Sequence, residues 1–339
     1  MLGSDHSRQA AADEAVVQVS YAGICGTDVE LFVNEHFHHY KTGHARLPII
    51  PGHEWTGVVV EVGSDVKHLK KGTRVVAEVS IGCGVCRFCK MGHANVCRAR
   101  REVGIINQNG GFAQFACIPA SNLRPALDLA PEIAVAAEPT AVALHGCQRV
   151  NVSAGDRVLV VGAGPIGLLS LQCAKACGAA FVAILDRDQK RLELARTLGA
   201  DAVLNSSSVG VAELPDLANS LTHGDGFDVV LECAGAAKVF EHLLKTLAPL
   251  GRIAVVGCFG DHHPTFNPDA LIAGENTIAG SVGGGANYGD AIELLRSGKV
   301  RPAPIITHTF PLAEAPKLFG ALALGQAPQG SLKVLLNPA

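Results

Sequence analysis

The chain of 339 residues is 48% hydrophobic and 17% charged, with a formal net charge of -3. That length exceeds what one hydrophobic core usually holds, which predicts two domains. So apolar a chain with so small a net charge is not disordered, and its mild acidity argues against a dedicated nucleic-acid binder. No unbroken apolar stretch reaches the roughly 18 residues a transmembrane helix needs. The opening MLGSDHSRQAAADE has no apolar centre that would serve as a secretory signal, so a cytoplasmic protein without membrane partners is expected.

Residues 1–150 hold short β-like runs separated by Gly and Pro: AVVQVSYAG at 15–23, TGVVVEVG at 56–63, TRVVAEVS at 73–80 and FAQFACIP at 112–119. These predict a mostly β first domain. The texture changes near Asn151. DRVLVVGAG is a buried strand entering a glycine turn, and PIGLLSLQCAKACG is a helix. FVAILD, DAVLN, FDVVLECAG, RIAVVG and a segment near Thr277–Gly280 continue as strands, separated by amphipathic helices. Near-continuous apolar strands alternating with helices predict a doubly wound parallel sheet of about six strands over 151–283. The pattern departs again over 284–339, and periodicity does not assign that tail to either domain.

Three motifs carry chemistry. The first is Gly162-Ala163-Gly164-Pro165-Ile166-Gly167, between a predicted strand and a predicted helix, the context a dinucleotide-binding turn requires. The first glycine makes the turn, the second admits a pyrophosphate, and the third allows close helix–strand packing. The phosphate then meets the positive end of the helix. Asp186 ends the next strand about 20 residues on, where a carboxylate binds ribose hydroxyls and repels a 2′-phosphate. This favours NAD over NADP, although Arg187 follows directly. The carboxyl edge of the sheet, including Glu232, Cys233, Ala234, Gly235, Gly257 and Cys258, is expected to flank the nicotinamide.

The second motif is Cys83-x2-Cys86-x2-Cys89-x7-Cys97. Four thiolates so spaced close tetrahedrally on Zn²⁺ and leave no open position, which predicts a structural site. Disulfides are disfavoured without an export signal. A nucleic-acid-binding zinc knuckle is the other alternative, because Arg87, Lys90, Arg98, Arg100 and Arg101 surround the site. Phe88 is its sole aromatic platform, so a solvated basic lobe is expected. The third motif is a scattered constellation: Cys25-Gly26-Thr27-Asp28, Gly52-His53-Glu54 and Glu138-Pro139. Cys, His and Glu each bind zinc, and a site with three protein ligands keeps a place for substrate. Spacing alone does not show that they converge.

The order GICGTD, PGHEWTG, the four-cysteine lobe, GGFAQF, AEPTAVALHG and VLVVGAGPIGLL resembles the zinc-dependent medium-chain dehydrogenase/reductases, nearest their polyol, threonine and cyclitol branch. The resemblance spans about Val16 to Leu336. It implies a GroES-like catalytic domain, a Rossmann domain, and a C-terminal segment that returns to the catalytic part. It also implies catalytic zinc on Cys25, His53 and Glu138, with Glu54 as a carboxylate that exchanges onto the metal. Thr27 matches the hydroxyl that relays the substrate proton. Two zinc ions and NAD are the implied cofactors, and a homodimer or homotetramer the implied assembly. Glu30 stands where many relatives carry a relay histidine, and only about a dozen polar residues precede Ala15, where relatives carry one or two more strands.

The expected reaction is hydride transfer between NAD and a secondary alcohol of a polyol, sugar alcohol or (amino)cyclitol, with L-threonine and polyol phosphates as alternatives. The polar segment Asn34–Tyr40 falls where relatives place substrate-pocket residues and suits a hydroxyl-rich substrate. A non-catalytic NAD- or zinc-binding protein is the alternative from another class. It would be favoured by a missing zinc ligand, and none is missing. Beyond Cys25 and the lobe, Cys117, Cys147, Cys173, Cys177, Cys233 and Cys258 are expected as small buried hydrophobes.

Overall fold

The computed structural model describes residues 9–33, 45–208 and 210–338. The chain forms two compact units, one of Met1–Ala141, Gly283–Arg296 and Pro302–Ala339, the other of Val142–Val282 and Ser297–Arg301. The division thus falls at Ala141–Val142 rather than at Asn151. The helix Ala137–Arg149 begins in the first unit and ends in the second, so the change of texture near Asn151 marks the end of a helix. The tail belongs to the first unit apart from Ser297–Arg301. No helix of the described residues is long and apolar enough to cross a membrane.

Strands β1 (Glu14–Gly23), β2 (Glu54–Val62), β3 (Arg74–Ala77), β4 (Ser80–Ile81), β5 (Arg101–Val103), β6 (Asn107–Gln108), β7 (Phe115–Pro119) and β8 (Leu123–Pro125) come from the first part of the chain. The second unit supplies β9 (Arg157–Val161), β10 (Phe181–Asp186), β11 (Ala202–Asn205), β12 (Phe227–Glu232), β13 (Leu247–Val255) and β14 (Thr277–Gly280). The tail adds β15 (Ile306–Pro311) and β16 (Lys333–Asn337).

The first unit is built on a sheet of order β15-β16-β1-β2-β3-β8, with β7 also paired to β1. Strand β1 organises it. One edge runs antiparallel along β2 from Ala15 to Gly23. The other edge is shared: Glu14–Gln18 pair with β7, and Ala22–Gly23 pair with β16. Alternation along β1 and β2 sends Val17, Val19, Trp55 and Val59 into a core with Val75, Ile118 and Leu123. The sheet is antiparallel except for the β15–β16 pair, and the four-cysteine segment lies beside the small sheet β4-β5-β6. This is the GroES-like mostly β domain.

The second unit is a parallel sheet of order β11-β10-β9-β12-β13-β14. In strand numbers from β9 this is 3-2-1-4-5-6, the doubly wound Rossmann order, whose ligand crevice opens where the order reverses. Val158–Val161 are buried on β9, as a strand covered by helices on both faces requires. Register aligns Val161 with Leu185 and Glu232, which brings the carboxyl ends of β9, β10 and β12 to one edge.

The glycine turn at this edge has a steric logic. Gly162 holds φ +96° and donates its N–H to the Leu185 carbonyl at 2.7 Å. A Cβ at Gly167 would collide with the Gly162 carbonyl. Gly167→Ala should therefore destabilise the protein by about 1–3 kcal/mol, the usual cost of overpacking. Calorimetric unfolding tests this, and an unchanged midpoint would contradict the close approach.

Candidate zinc and dinucleotide sites

The β1–β2–β16 register builds the first metal group. Gly23 at the end of β1 pairs with Glu54 at the start of β2, and with Leu335 two residues beyond Lys333 on β16. The chain leaves β1 through Ile24 and Cys25 into the helix Gly26–Val33, while His53 directly precedes β2. One donor atom each from Cys25, His53 and Glu54 lies within 4.8 Å of the others. His53 and Glu54 are buried, and Cys25 is half-buried.

Two residues to which the sequence reading assigns no role support this group. Asp28 is wholly buried and accepts the N–H groups of Cys25 and Gly52, at 2.9 and 3.2 Å. It thereby ties together the loops that carry Cys25 and His53. Its Oδ1 also lies 3.4 Å from His53 Nδ1, which makes no hydrogen bond there. A carboxylate facing the second nitrogen of a ligand histidine is a common outer support of a metal site. The second residue is Lys333. Its ammonium donates to both Glu54 oxygens, at 2.7 and 2.6 Å, and to the Ile24 carbonyl at 3.1 Å. Asp28 closes a Cys-Gly-Thr-Asp run and was a legible signal. Lys333 lies on the last strand, far along the chain, and only the sheet register brings it to Glu54.

Glu138 opens the helix Ala137–Arg149, whose first turn packs through Ala141 on the buried Tyr288. It is buried near His53, Glu54, Lys333 and Asp28 but falls outside the trio of mutually close donors. Burial pushes its carboxyl up to about 7, partly opposed by His53 and reinforced by Glu54. At His53, burial pulls downward, but Asp28 and Cys25 outweigh it and hold the imidazole well above its usual pKa. Burial likewise lowers Lys333, and Glu54 more than compensates. The site is thus a buried concentration of negative groups that binds protons where no metal cation is held, and metal binding displaces such protons. Sulfur, imidazole and carboxylate are donor types of Zn²⁺, so the residues fit that ion. Thr27 Oγ1 accepts from Cys25 Sγ at 3.8 Å, and Thr27 is half-buried. The substrate-pocket expectation at Asn34–Tyr40 lies outside the described residues.

The second group is Cys83, Cys86, Cys89 and Cys97, whose sulfurs all lie within 4.8 Å of one another. Backbone N–H groups of Cys86 and Cys89 donate to the Cys83 and Cys86 sulfurs, at 3.4 and 3.5 Å. Donors to Cys83 from Val85 and Cys86 lower its pKa to about 6, favouring the thiolate that a metal needs. Four sulfur donors fit a closed tetrahedral zinc site. Part of the surrounding basic charge is engaged within the lobe: Arg100 pairs with Glu102 at 2.6 Å, Arg101 donates to Gln108 at 2.7 Å, and Arg87 lies over the Phe88 ring.

The dinucleotide motif occupies the carboxyl edge of the second sheet. Gly164 caps the helix Pro165–Ala176, with Pro165 and Ile166 in its first turn, and open space surrounds the place of a Gly164 Cβ. That vacancy beside a helix N-terminus fits a pyrophosphate. Asp186 Oδ2 accepts the Ala163 N–H at 2.6 Å, and Oδ1 accepts the Asp188 N–H at 2.9 Å, which fixes the carboxylate beside the turn. Arg187 follows, its carbonyl accepting from Ser207 Oγ at 3.1 Å. A Cβ on Gly162 would meet that of Ala234 at 3.0 Å, so the turn packs on the loop after β12. Glu232 shapes that loop, because its Oε1 accepts from the Ala234 and Gly235 N–H groups at 3.0 and 2.9 Å. Gly257 packs against the same carboxylate, and Cys233 donates to Ser170 at 3.6 Å.

Residues 11–128 match the alcohol dehydrogenase GroES-like domain, and 165–297 match the zinc-binding dehydrogenase domain. The chain is 34% identical to the sorbitol dehydrogenase of Halalkalibacterium halodurans, over 95% of this chain and 91% of the relative. It is also 34% identical to the L-threonine 3-dehydrogenase of Legionella pneumophila, over 96% and 92%. A zinc-binding dehydrogenase of Sinorhizobium meliloti, solved with NADP, superposes with TM-score 0.88 at 31% identity, covering 98% of this chain and 94% of that one. The chain belongs to the zinc-dependent alcohol dehydrogenase family, the zinc-binding medium-chain dehydrogenases.

Removing Lys333 would leave Glu54 buried and uncompensated. Lys333→Met should cost about 3–5 kcal/mol of stability, and adding Glu54→Gln should restore part of it, with a coupling of about 0.5–3 kcal/mol. Urea unfolding of the two single variants and the double variant measures this. Additive effects would show that the pair does not act as a unit.

Proposed function

We propose that this enzyme oxidises a secondary alcohol of a hydroxyl-rich small molecule, a sugar alcohol or cyclitol, to the ketone, with NAD accepting the hydride. The observation that carries the reading is the Cys25–His53–Glu54 group of mutually close donors, with Glu138 buried in the same charged surroundings, in a chain that also holds a dinucleotide turn. Bound there, Zn²⁺ supplies Lewis-acid polarisation of a hydroxyl, and NAD supplies the hydride acceptor. In this proposal Cys25, His53 and Glu138 hold the zinc, and Glu54 is the reserve carboxylate. Lys333 supports that role, because it neutralises Glu54 while Glu54 is off the metal. Asp28 orients His53. Thr27 takes the substrate proton outward, for which its hydroxyl beside Cys25 and its partial exposure are suited. Cys83, Cys86, Cys89 and Cys97 hold a second, structural zinc.

The choice of NAD rests on Asp186, whose fixed carboxylate would bind the ribose hydroxyls and oppose a 2′-phosphate. Gly162, Gly164, Pro165, Ile166 and Gly167 would cradle the pyrophosphate. Arg187, Cys233, Ala234 and Gly257 would complete the cofactor edge. L-Threonine is the second substrate reading, favoured by the equal identity to an L-threonine 3-dehydrogenase. A cytoplasmic setting fits eleven cysteines that form no disulfide. Closed symmetric oligomers are common among soluble enzymes, and a homodimer or homotetramer is the assembly proposed.

Cys25→Ser and Glu138→Ala should each lower turnover by more than the roughly 10–100-fold typical of an outer metal partner, and reduce zinc from two ions per chain to one. Full turnover with full zinc in either variant overturns the ligand assignment. A panel of sugar alcohols, cyclitols, polyol phosphates and L-threonine, read by NADH formation, tests the substrate. Asp186→Ala should raise NADP efficiency relative to NAD, and an unchanged ratio would remove Asp186 from cofactor choice.

A further inference from the structure

The motif GGFAQF carries part of the family resemblance, yet neither the zinc groups nor the dinucleotide turn uses it. Its first residues, Gly110, Gly111 and Phe112, run beside the segment that delivers His53. That segment, from Ala45 to His53, contains neither helix nor strand, so its backbone groups need partners elsewhere. The loop before β7 supplies them. The Gly110 N–H donates to the Ile50 carbonyl at 2.7 Å, the Phe112 N–H to the Pro51 carbonyl at 3.0 Å, and the Gly111 N–H to the Gly52 carbonyl at 2.8 Å. The Ile50 N–H donates in return to Asn109 Oδ1 at 3.1 Å. The three residues ahead of His53 are thus tied to four consecutive residues of the other loop.

Side-chain packing closes the same contact. Gly52 holds φ +92°, and a Cβ there would meet the Phe112 ring at 2.5 Å, so the ring lies against the Gly52 backbone. A Cβ at Gly110 would collide with the Gly52 carbonyl oxygen, so only glycine admits this approach. The Phe112 ring is itself held in place. It packs on the core that contains Trp55 and Ile118 and on the cluster that contains Ile24 and Leu336, with the Phe319 ring centroid 5.7 Å away. Just beyond the ring, the Gln114 carbonyl accepts the Val19 N–H of β1 at 2.9 Å. The strap is therefore anchored on the strand that leads to Cys25.

We infer that Phe112 is a positioning residue for His53, acting with the Gly110–Gly111 backbone to fix the loop that presents the imidazole. The inference rests on the reading of His53 as a zinc ligand. Asp28 accepts the Gly52 N–H at 3.2 Å and the strap holds the Gly52 carbonyl, so the residue before the histidine is gripped on both of its peptide groups. The Gly52 carbonyl belongs to the same planar peptide unit as the His53 nitrogen. Fixing that plane sets the direction in which the His53 side chain leaves the backbone. A ligand held this way before the metal arrives loses less freedom on binding it, and a donor group needs its geometry to within about 0.5 Å.

The test measures zinc affinity of the full zinc-loaded chain by competition with a chromogenic chelator. Phe112→Leu removes the ring, and Gly110→Ala places a methyl group against the Gly52 carbonyl without shortening any core side chain. Each should hold one of its two zinc ions about 10–100-fold more weakly, the range for loss of an outer support of a metal ligand. The other ion, on the four cysteines, should keep its affinity and so report that the first unit is folded. Leu123→Ala truncates the same core and should leave both affinities unchanged, which separates positioning from a general loss of packing. Retention of both ions at full affinity in the two strap variants, or equal weakening in Leu123→Ala, overturns the inference. His53→Ala should lose one ion outright. If it does while the strap variants keep both, the inference alone fails, whereas full zinc in His53→Ala overturns the ligand reading and the inference with it. The unaltered chain gives a check without variants: chelation down to one ion per chain should speed hydrogen exchange in the peptide spanning 109–112, by the reciprocity of coupled equilibria. Exchange there that ignores the metal would contradict the coupling.

Discussion

The buried pair of Glu54 and Lys333 is the interaction on which the first unit depends. Both side chains are almost fully enclosed, and removing two such charges from water costs several kcal/mol per ion unless each finds its partner. The partner is found only when β1 has β2 on one side and β16 on the other, because Glu54 starts one neighbour and Lys333 starts the other. The ion pair therefore fastens the end of the chain to its beginning. It also fixes the exit of β1, from which Cys25 and Asp28 follow within five residues of Gly23.

Asp28 extends the same constraint to the histidine. It gathers N–H groups from two separate loops, so a buried carboxylate sets Cys25 and His53 relative to each other. The pocket is thus assembled around negative charge, with Lys333 as its resident buried cation. Such an arrangement suits a divalent metal and explains why carboxyl and imidazole groups there retain protons at unusually high values.

The second unit rests on a different constraint, the closeness of backbone to backbone. Gly162, Gly167, Gly235 and Gly257 each sit where a Cβ would press on a neighbouring turn. The three segments at the carboxyl edge close into one surface, on which Asp186 and the helix N-terminus are presented together. Behind that surface, Cys147 and Cys173 fill space as small buried side chains. The expectation that the six remaining cysteines are small buried hydrophobes holds for Cys147 and Cys173, whereas Cys117, Cys177 and Cys233 are half-buried and Cys258 is exposed.

The sequence by itself determined the parallel sheet and its glycine turn, because period, strand–helix alternation and turn chemistry are local properties read over a few dozen residues. It also determined the four-cysteine group, since close spacing forces those sulfurs together. Composition excluded a disordered chain, and the run of motifs identified the family. Tertiary structure alone decided what distant segments do to one another. Cys25, His53 and Glu54 became one donor group through strand register, while Glu138, assigned to the same metal by resemblance, stands beside that trio. Lys333 gained its place through the return of the tail, and the unit boundary moved to Ala141 because a helix crosses it. Periodicity records which face of an element is buried, but not which other element covers that face.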